Sequence, residues 1–133
     1  MKTIIAGGRN YYHNNKNYEY MLIAISNLPW TITEVVSGNA QGADMMGEKF
    51  AREHDLPLTI MEAEWDVHGK SAGYLRNEEM AKYADACVCF WDGESKGTEH
   101  MINIAKEHDE LYLRIINYHG ECWGSAGLVK SNS

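Results

Sequence analysis

The chain has 133 residues, the size of one domain with one hydrophobic core. Hydrophobic residues are 44% and charged residues 23%, which excludes disorder throughout. The formal net charge of −7 weighs against a protein that grips nucleic acid by its phosphates, which needs a basic face. No apolar run reaches the ~20 residues of a membrane span.

The apolar opening Met1 to Ala6 is too short for a signal peptide and reads as a buried first strand, Thr3 to Ala6. With no secretory signal, the three cysteines are expected as free thiols in a reducing, cytoplasmic setting. The strand feeds Gly7-Gly8-Arg9-Asn10. Glycine there lets a backbone approach a ligand, and Arg9 suits a phosphate or carboxylate. The competing reading is a tight turn with a surface arginine. Asn10 to Asn17, with Tyr11, Tyr12 and His13, is a lid, a partner surface or a solvated loop. Tyr18, Met21, Leu22 and Ile25 then recur at helical spacing.

A second strand, Glu34 to Ser37, enters Ser37-Gly38-Asn39-Ala40-Gln41-Gly42-Ala43-Asp44 and at once a helix carrying Ala43, Met46, Gly47, Phe50 and Ala51. A glycine loop at a helix N-terminus offers unpaired N–H groups to an anion. Asp44 either suits the helix dipole or accepts hydrogen bonds from a ribose or base. The third strand, Leu58 to Met61, precedes a long connection, Glu62 to Gly73. Connections of that length are often functional. Within it Trp65 is either a stacking surface or core, and Lys70 brings a charge. His68 is a ligand contact, a proton carrier or a cap.

Ala72 to Tyr83 follows as a helix, with Arg76 either in a surface salt bridge or against a ligand. Ala86-Cys87-Val88-Cys89-Phe90 is a buried strand with its cysteines as small hydrophobes. Trp91, Asp92, Glu94, Lys96, Gly97 and Thr98 form a polar loop into a helix carrying Met101, Ile104 and Ala105. There Gly97, Thr98 and Lys96 are placed for a phosphate, as is His100 behind them, and Asp92 for a ribose or base. Tyr112 to Ile116 is the fifth strand.

The alternation predicts a Rossmann-like three-layer α/β sandwich with a mainly parallel sheet of about five strands. The domain spans residues 1–117, and 118–133 form a partly flexible tail whose Cys122 and Trp123 pack back or make an oligomer contact. In such sheets ligands bind beyond the carboxyl ends of the strands, so the three glycine loops meet at one edge. None is a G-x-x-x-x-G-K-[ST] or intact G-x-G-x-x-G loop. No metal-binding spacing appears among the six histidines and three cysteines, so no metal and no cofactor are expected.

Ile4-Ile5-Ala6-Gly7-Gly8-Arg9, the Ser37 to Asp44 loop, and the run Arg76-Asn77-Glu78-Glu79-Met80, Ala84-Asp85-Ala86, Gly97-Thr98 also carry a resemblance. The chain resembles the SLOG superfamily, which contains the DNA-processing protein Smf and the Lonely Guy phosphoribohydrolases, and within it the small stand-alone YspA-like branch of bacteria and phages. The resemblance covers the chain to about Ile116. It implies a nucleotide or nucleotide-derivative site, homo-oligomers, and a bacterial or phage-infected cell. In the Lonely Guy enzymes an arginine and a glutamate cleave an N-glycosidic bond. Arg76 matches the arginine, whereas Met101 stands at the glutamate's position, and neither Glu94 nor Glu99 matches it.

Three functions follow as expectations. The first is capture of a nucleotide or nucleotide-derived small molecule, for sensing or sequestration. The phosphates lie on Gly7-Gly8, Gly38 to Gly42 (with Asn39 and Ala40) and Gly97-Thr98, with Arg9, Arg76, Lys70 and Lys96 as cations and Ser37, Asp44 or Asp92 reading ribose or base. The second is a nucleotide hydrolase using Arg76 with Glu94 or Glu99. The third, weakest on charge, is single-stranded DNA binding.

Overall fold

The computed structural model describes residues 1–11 and 14–126. The sequence readings on Tyr12 and His13, and on the fraying end Lys130 to Ser133, lie outside the described residues. Five parallel strands form as expected, within one residue at most ends: β1 Lys2–Gly7, β2 Glu34–Ser37, β3 Leu58–Ile60, β4 Ala86–Phe90 and β5 Tyr112–Ile116. Between them lie α1 Asn15–Ser26, α2 Ala43–Glu53, α4 Ala72–Tyr83 and α5 Lys96–Glu107.

The sheet departs from the five-strand expectation. A sixth strand, β6 Cys122–Ala126, pairs antiparallel with β5, with an irregularity at Ile115/Ile116. The sheet therefore continues beyond residue 117 into the segment expected as a tail. The strand is one-sided and largely exposed, so it lacks the continuous apolar run that marks a doubly covered strand. The connection Glu62 to Gly73 also has local order: a single helical turn, α3 Trp65–His68, and a 3-10 turn, Gly69–Ser71.

The strand order is β3-β2-β1-β4-β5-β6, a mostly parallel α/β sheet of Rossmann-like order. Because side chains alternate along a strand, the sheet divides its apolar residues between two faces. Ile5, Val35, Val88 and Phe90 cluster with Met21 of α1 and Met46 and Phe50 of α2. Ile4, Val36, Cys87, Cys89 and Leu113 cluster with Met80 of α4 and Met101 and Ile104 of α5. Truncating any fully buried Ile or Leu here to Ala is expected to cost roughly 2–5 kcal/mol.

Two hydrogen bonds show how local chemistry shapes the start of α1. Asn14 caps α1, its Oδ1 accepting from Asn17 N at 2.8 Å. Tyr11, read in sequence as part of a solvated or lid segment, is instead fully buried. Its ring meets Phe90 and Tyr118, and its hydroxyl donates to Asn17 O at 2.9 Å.

The strand order also positions the site. From β1 the chain moves outward through β2 and β3, then returns to form β4 on β1's other side. That reversal leaves a crevice at the carboxyl ends of β1 and β4.

Candidate functional site

A cleft of about 570 Å³ occupies that crevice. This lies within the roughly 300–1,000 Å³ range of small-molecule sites. Its walls are the loops after β1, β2 and β4, the α3 segment and the first turns of α4, and Met80 and Met101 are apolar lining.

Arg76 is the best-positioned cation. Its Nη1 donates to Gly38 O at 2.7 Å and its Nε to Asn77 Oδ1 at 3.0 Å. Those bonds fix the Asn77 amide, whose Nδ2 faces His100 Nδ1 at 3.1 Å. Tyr74 stacks on His100 with ring centroids 4.0 Å apart. Burial first of all depresses the His100 pKa, so the ring is neutral at pH 7 and accepts from the amide. A short polar chain, Tyr74/His100–Asn77–Arg76, thus holds the guanidinium against the β2–α2 loop.

Gly38 makes that placement possible. A Cβ there would lie 2.7 Å from Arg76 Cζ and 3.0 Å from Asp44 Oδ2. Burial lowers the Arg76 pKa, Asp44 opposes that shift, and Arg9 adds to it. Arg76 thus feels the Arg9 charge, and both side chains line the same cleft. Neither has a carboxylate within 4.0 Å among the described residues.

Beneath the arginine lies a buried acid layer. Asp44 is only 4% exposed, and its Oδ2 accepts from Ala40 N at 3.3 Å. Burial pushes its pKa up to about 7, although the Arg76 charge and backbone N–H groups pull the other way. Asp44 is therefore a mixture of acid and carboxylate near neutrality. Ser37 Oγ donates to buried Glu48 Oε2 at 2.7 Å and accepts from Asn39 N at 3.0 Å. Ser37 and Asn39 brace the loop from below and do not line the cleft.

The β4–α5 loop is organised by Asp92. Its Oδ1 accepts from Glu94 N and Ser95 N, both at 2.9 Å, and its Oδ2 from Asn10 Nδ2 at 3.1 Å. Those backbone donors, before any other cause, hold its pKa below the usual carboxylate value. Trp91 Nε1 donates to Ser95 O at 3.0 Å, so Trp91 ties this loop together. Ser95 Oγ and Thr98 Oγ1 lie 3.1 Å apart at the start of α5.

Of the residues singled out in the sequence, Gly7, Arg9, Ala40, Asp44, Lys70, Arg76, Asp92, Glu94, Gly97 and Thr98 line the cleft together. Trp65 lines it too, half-exposed. Gly8, Gly38 and Gly42 sit behind it, as tight approaches between loops rather than cleft surface. His68, Lys96, Glu99 and His100 are not brought to it. His68 and Lys96 are exposed, and His68 makes no side-chain cap bond to the following turn. Asn10, Gly73, Tyr74, Asn77 and Ser95 are contributors that the sequence reading did not single out as site residues. Asn77 is 6% exposed, and that burial comes from helix packing, so the sequence carried no signal for it. Among the described residues no group of three or more His, Cys, Asp or Glu is arranged to hold a metal ion. No helix among them is long and apolar enough to cross a membrane.

No protein-family model matches the chain, and no solved structure matches it. The Gene 61 protein of Mycobacterium phage D29 is 31% identical over 123 residues, an alignment covering 88% of this chain and 95% of the phage protein. At that identity and coverage, the chain belongs to the family of the phage Gene 61 protein.

Proposed function

We propose that this cleft captures a nucleotide or nucleotide-derived small molecule, in a SLOG-like three-layer sandwich. One observation carries the reading. Arg9 and Arg76 face the same crevice with no carboxylate within ion-pair distance among the described residues, and the Arg76 charge is disfavoured first by burial and then by Arg9, with Asp44 offsetting part of that. An anion between them relieves that repulsion and forms charge-assisted bonds with both. Gly97 and Thr98, in the first turn of α5, line the same cleft, where backbone N–H groups without intrahelical acceptors favour a phosphate.

Capture is favoured over turnover by the apolar side chain at the position of the Lonely Guy glutamate. Met101 is 1% exposed and faces the second core cluster. Glu94 lines the cleft and Glu99 does not, so a hydrolase would have to use Glu94 with Arg76. The relative is a phage protein, which suits sequestration of a signalling nucleotide during infection.

The test is incubation of the purified protein with a mixed nucleotide library, including cyclic and ADP-ribose-type molecules, followed by mass spectrometry of bound and free pools. Recovery of an intact ligand, lost on Arg76→Ala, is the expected result. Release of base and sugar phosphate, abolished by Glu94→Gln, replaces capture with hydrolysis. Absence of any bound species removes the reading.

A further inference from the structure

Trp65 is a large aromatic side chain left 51% exposed on the wall of a cleft. Trp123 is also exposed, at 56%, but it does not line the cleft, so Trp65 is the exposed tryptophan a cleft ligand would meet. Among the described residues no ring stacks on it, no cation covers it and no acceptor takes its indole N–H. The other exposed aromatic wall, Tyr74, already has one face on His100. Trp91 is committed to Ser95. Trp65 is thus the ring in this cleft with a face to offer.

Its position relative to the cationic pair is set by Gly73. A methyl at Gly73 would come 3.3 Å from Trp65 Cη2 and 4.0 Å from Arg76 Nη2. The indole edge and the guanidinium therefore both lie within 4.0 Å of one point, which is close enough for one nucleotide to reach both. Gly73 lies in the first turn of α4, and its lack of a side chain leaves this passage open.

We propose that Trp65 is a base-stacking platform and that the ligand is a nucleoside 5′-phosphate, its base on Trp65 and its phosphate at Arg76 and Arg9. The inference rests on the anion-capture reading above and adds the planar group and its location. Stacking on a tryptophan face tolerates any base and favours the larger purines, whereas the arginines supply the fixed end. A sugar phosphate without a base would use only that fixed end.

The experiment is calorimetric titration of the intact protein with adenosine 5′-monophosphate, cytidine 5′-monophosphate, ribose 5-phosphate and inorganic phosphate. Adenosine monophosphate is expected to bind at least about tenfold more tightly than ribose 5-phosphate, with cytidine monophosphate between them. Trp65→Ala is expected to remove that advantage and leave ribose 5-phosphate affinity unchanged, and Trp65→Phe to retain most of it. Equal affinity for nucleotide and ribose 5-phosphate in the native protein overturns the stacking platform while leaving anion capture standing. A Trp65→Ala variant that loses both ligands equally overturns it too, because the residue then acts through the shape of the α3 segment. Failure of all four probes to bind overturns capture and platform together.

Discussion

The β2–α2 and β4–α5 loops look alike as sequence, each a glycine-bearing polar stretch running into a helix, yet they use glycine for opposite purposes. In the first, the missing side chains make room for the protein itself. Gly42 has φ +87°, and a Cβ there would lie 2.9 Å from Arg9 Cα, while Gly38 lets Arg76 lie across the loop. In the second, Gly97 has nothing within 4 Å of where its Cβ would be, and it borders the cleft. The two aspartates follow the same division. Asp44 is sealed in and its pKa is raised, whereas Asp92 is held by backbone donors at the surface and its pKa is lowered. Glycine in such a loop announces a close approach, and only the packed structure says whether a ligand or another loop makes it.

The largest expected effect tests the sealed acid. Asp44 has a folded pKa of about 7 against an ordinary value of 3.8. Its folded form thus binds the proton more tightly than its unfolded form. Its contribution to stability is complete below about pH 4 and is lost as pH rises through about 7. Urea melts across this range should show wild type losing up to about 4 kcal/mol relative to Asp44→Asn. Parallel curves for the two proteins would mean that Asp44 is not sealed. Asp92, with its lowered pKa, has the opposite sign: its contribution is present above the ordinary carboxylate value and fades as pH falls.

Next in size is Gly42→Ala. Positive φ and the contact with Arg9 act together, and the expected loss is roughly 2–3 kcal/mol in the same melts. An unchanged midpoint would separate the β1 and β2 loops in solution. Gly38→Ala should act on function more than on stability. Its methyl displaces Arg76 from Gly38 O, and nucleotide affinity should fall by about tenfold, the order of one charge-assisted hydrogen bond. Gly97→Ala is the smallest and the sharpest contrast. Its methyl meets open space in the first turn of α5, so stability should hold or rise by about 0.5 kcal/mol. Affinity should fall severalfold if a phosphate approaches that backbone. Equal affinity losses at Gly38 and Gly97 would erase the distinction between the two loops.

Much of the framework was legible in advance because its physics is local. Buried parallel strands need short runs of apolar, often β-branched residues, and the β1, β2 and β4 segments display them plainly. The Asn14 cap of α1 does not stand out, because it falls in a polar stretch that reads as a lid, a partner surface or a solvated loop. β6 was not legible, since Cys122 to Ala126 has no apolar run and becomes a strand only by pairing with β5. Tyr11 reads as part of a polar stretch, and its burial depends on Phe90 and Tyr118, which are far away in sequence. Arg9, Asp44, Gly97 and Thr98, singled out from loop chemistry, and Arg76, singled out on its helix through the resemblance, all line the one cleft. Tyr74 and Asn77 were not legible, because they reach the cleft from a helix face whose orientation is a matter of packing.

By itself, then, the sequence determined the alternation of strands and helices, the glycine loops and the cations they carry, because each depends on neighbours along the chain. Only the tertiary structure decided which of those residues share a cleft. It turned His68, Lys96 and Glu99 away, set Trp65 beside Arg76 across Gly73, and sealed Asp44 under the guanidinium. The reason is that strand order and helix docking are settled by burial between elements distant in sequence, and the same packing that closes the core chooses which polar groups face the opening it leaves.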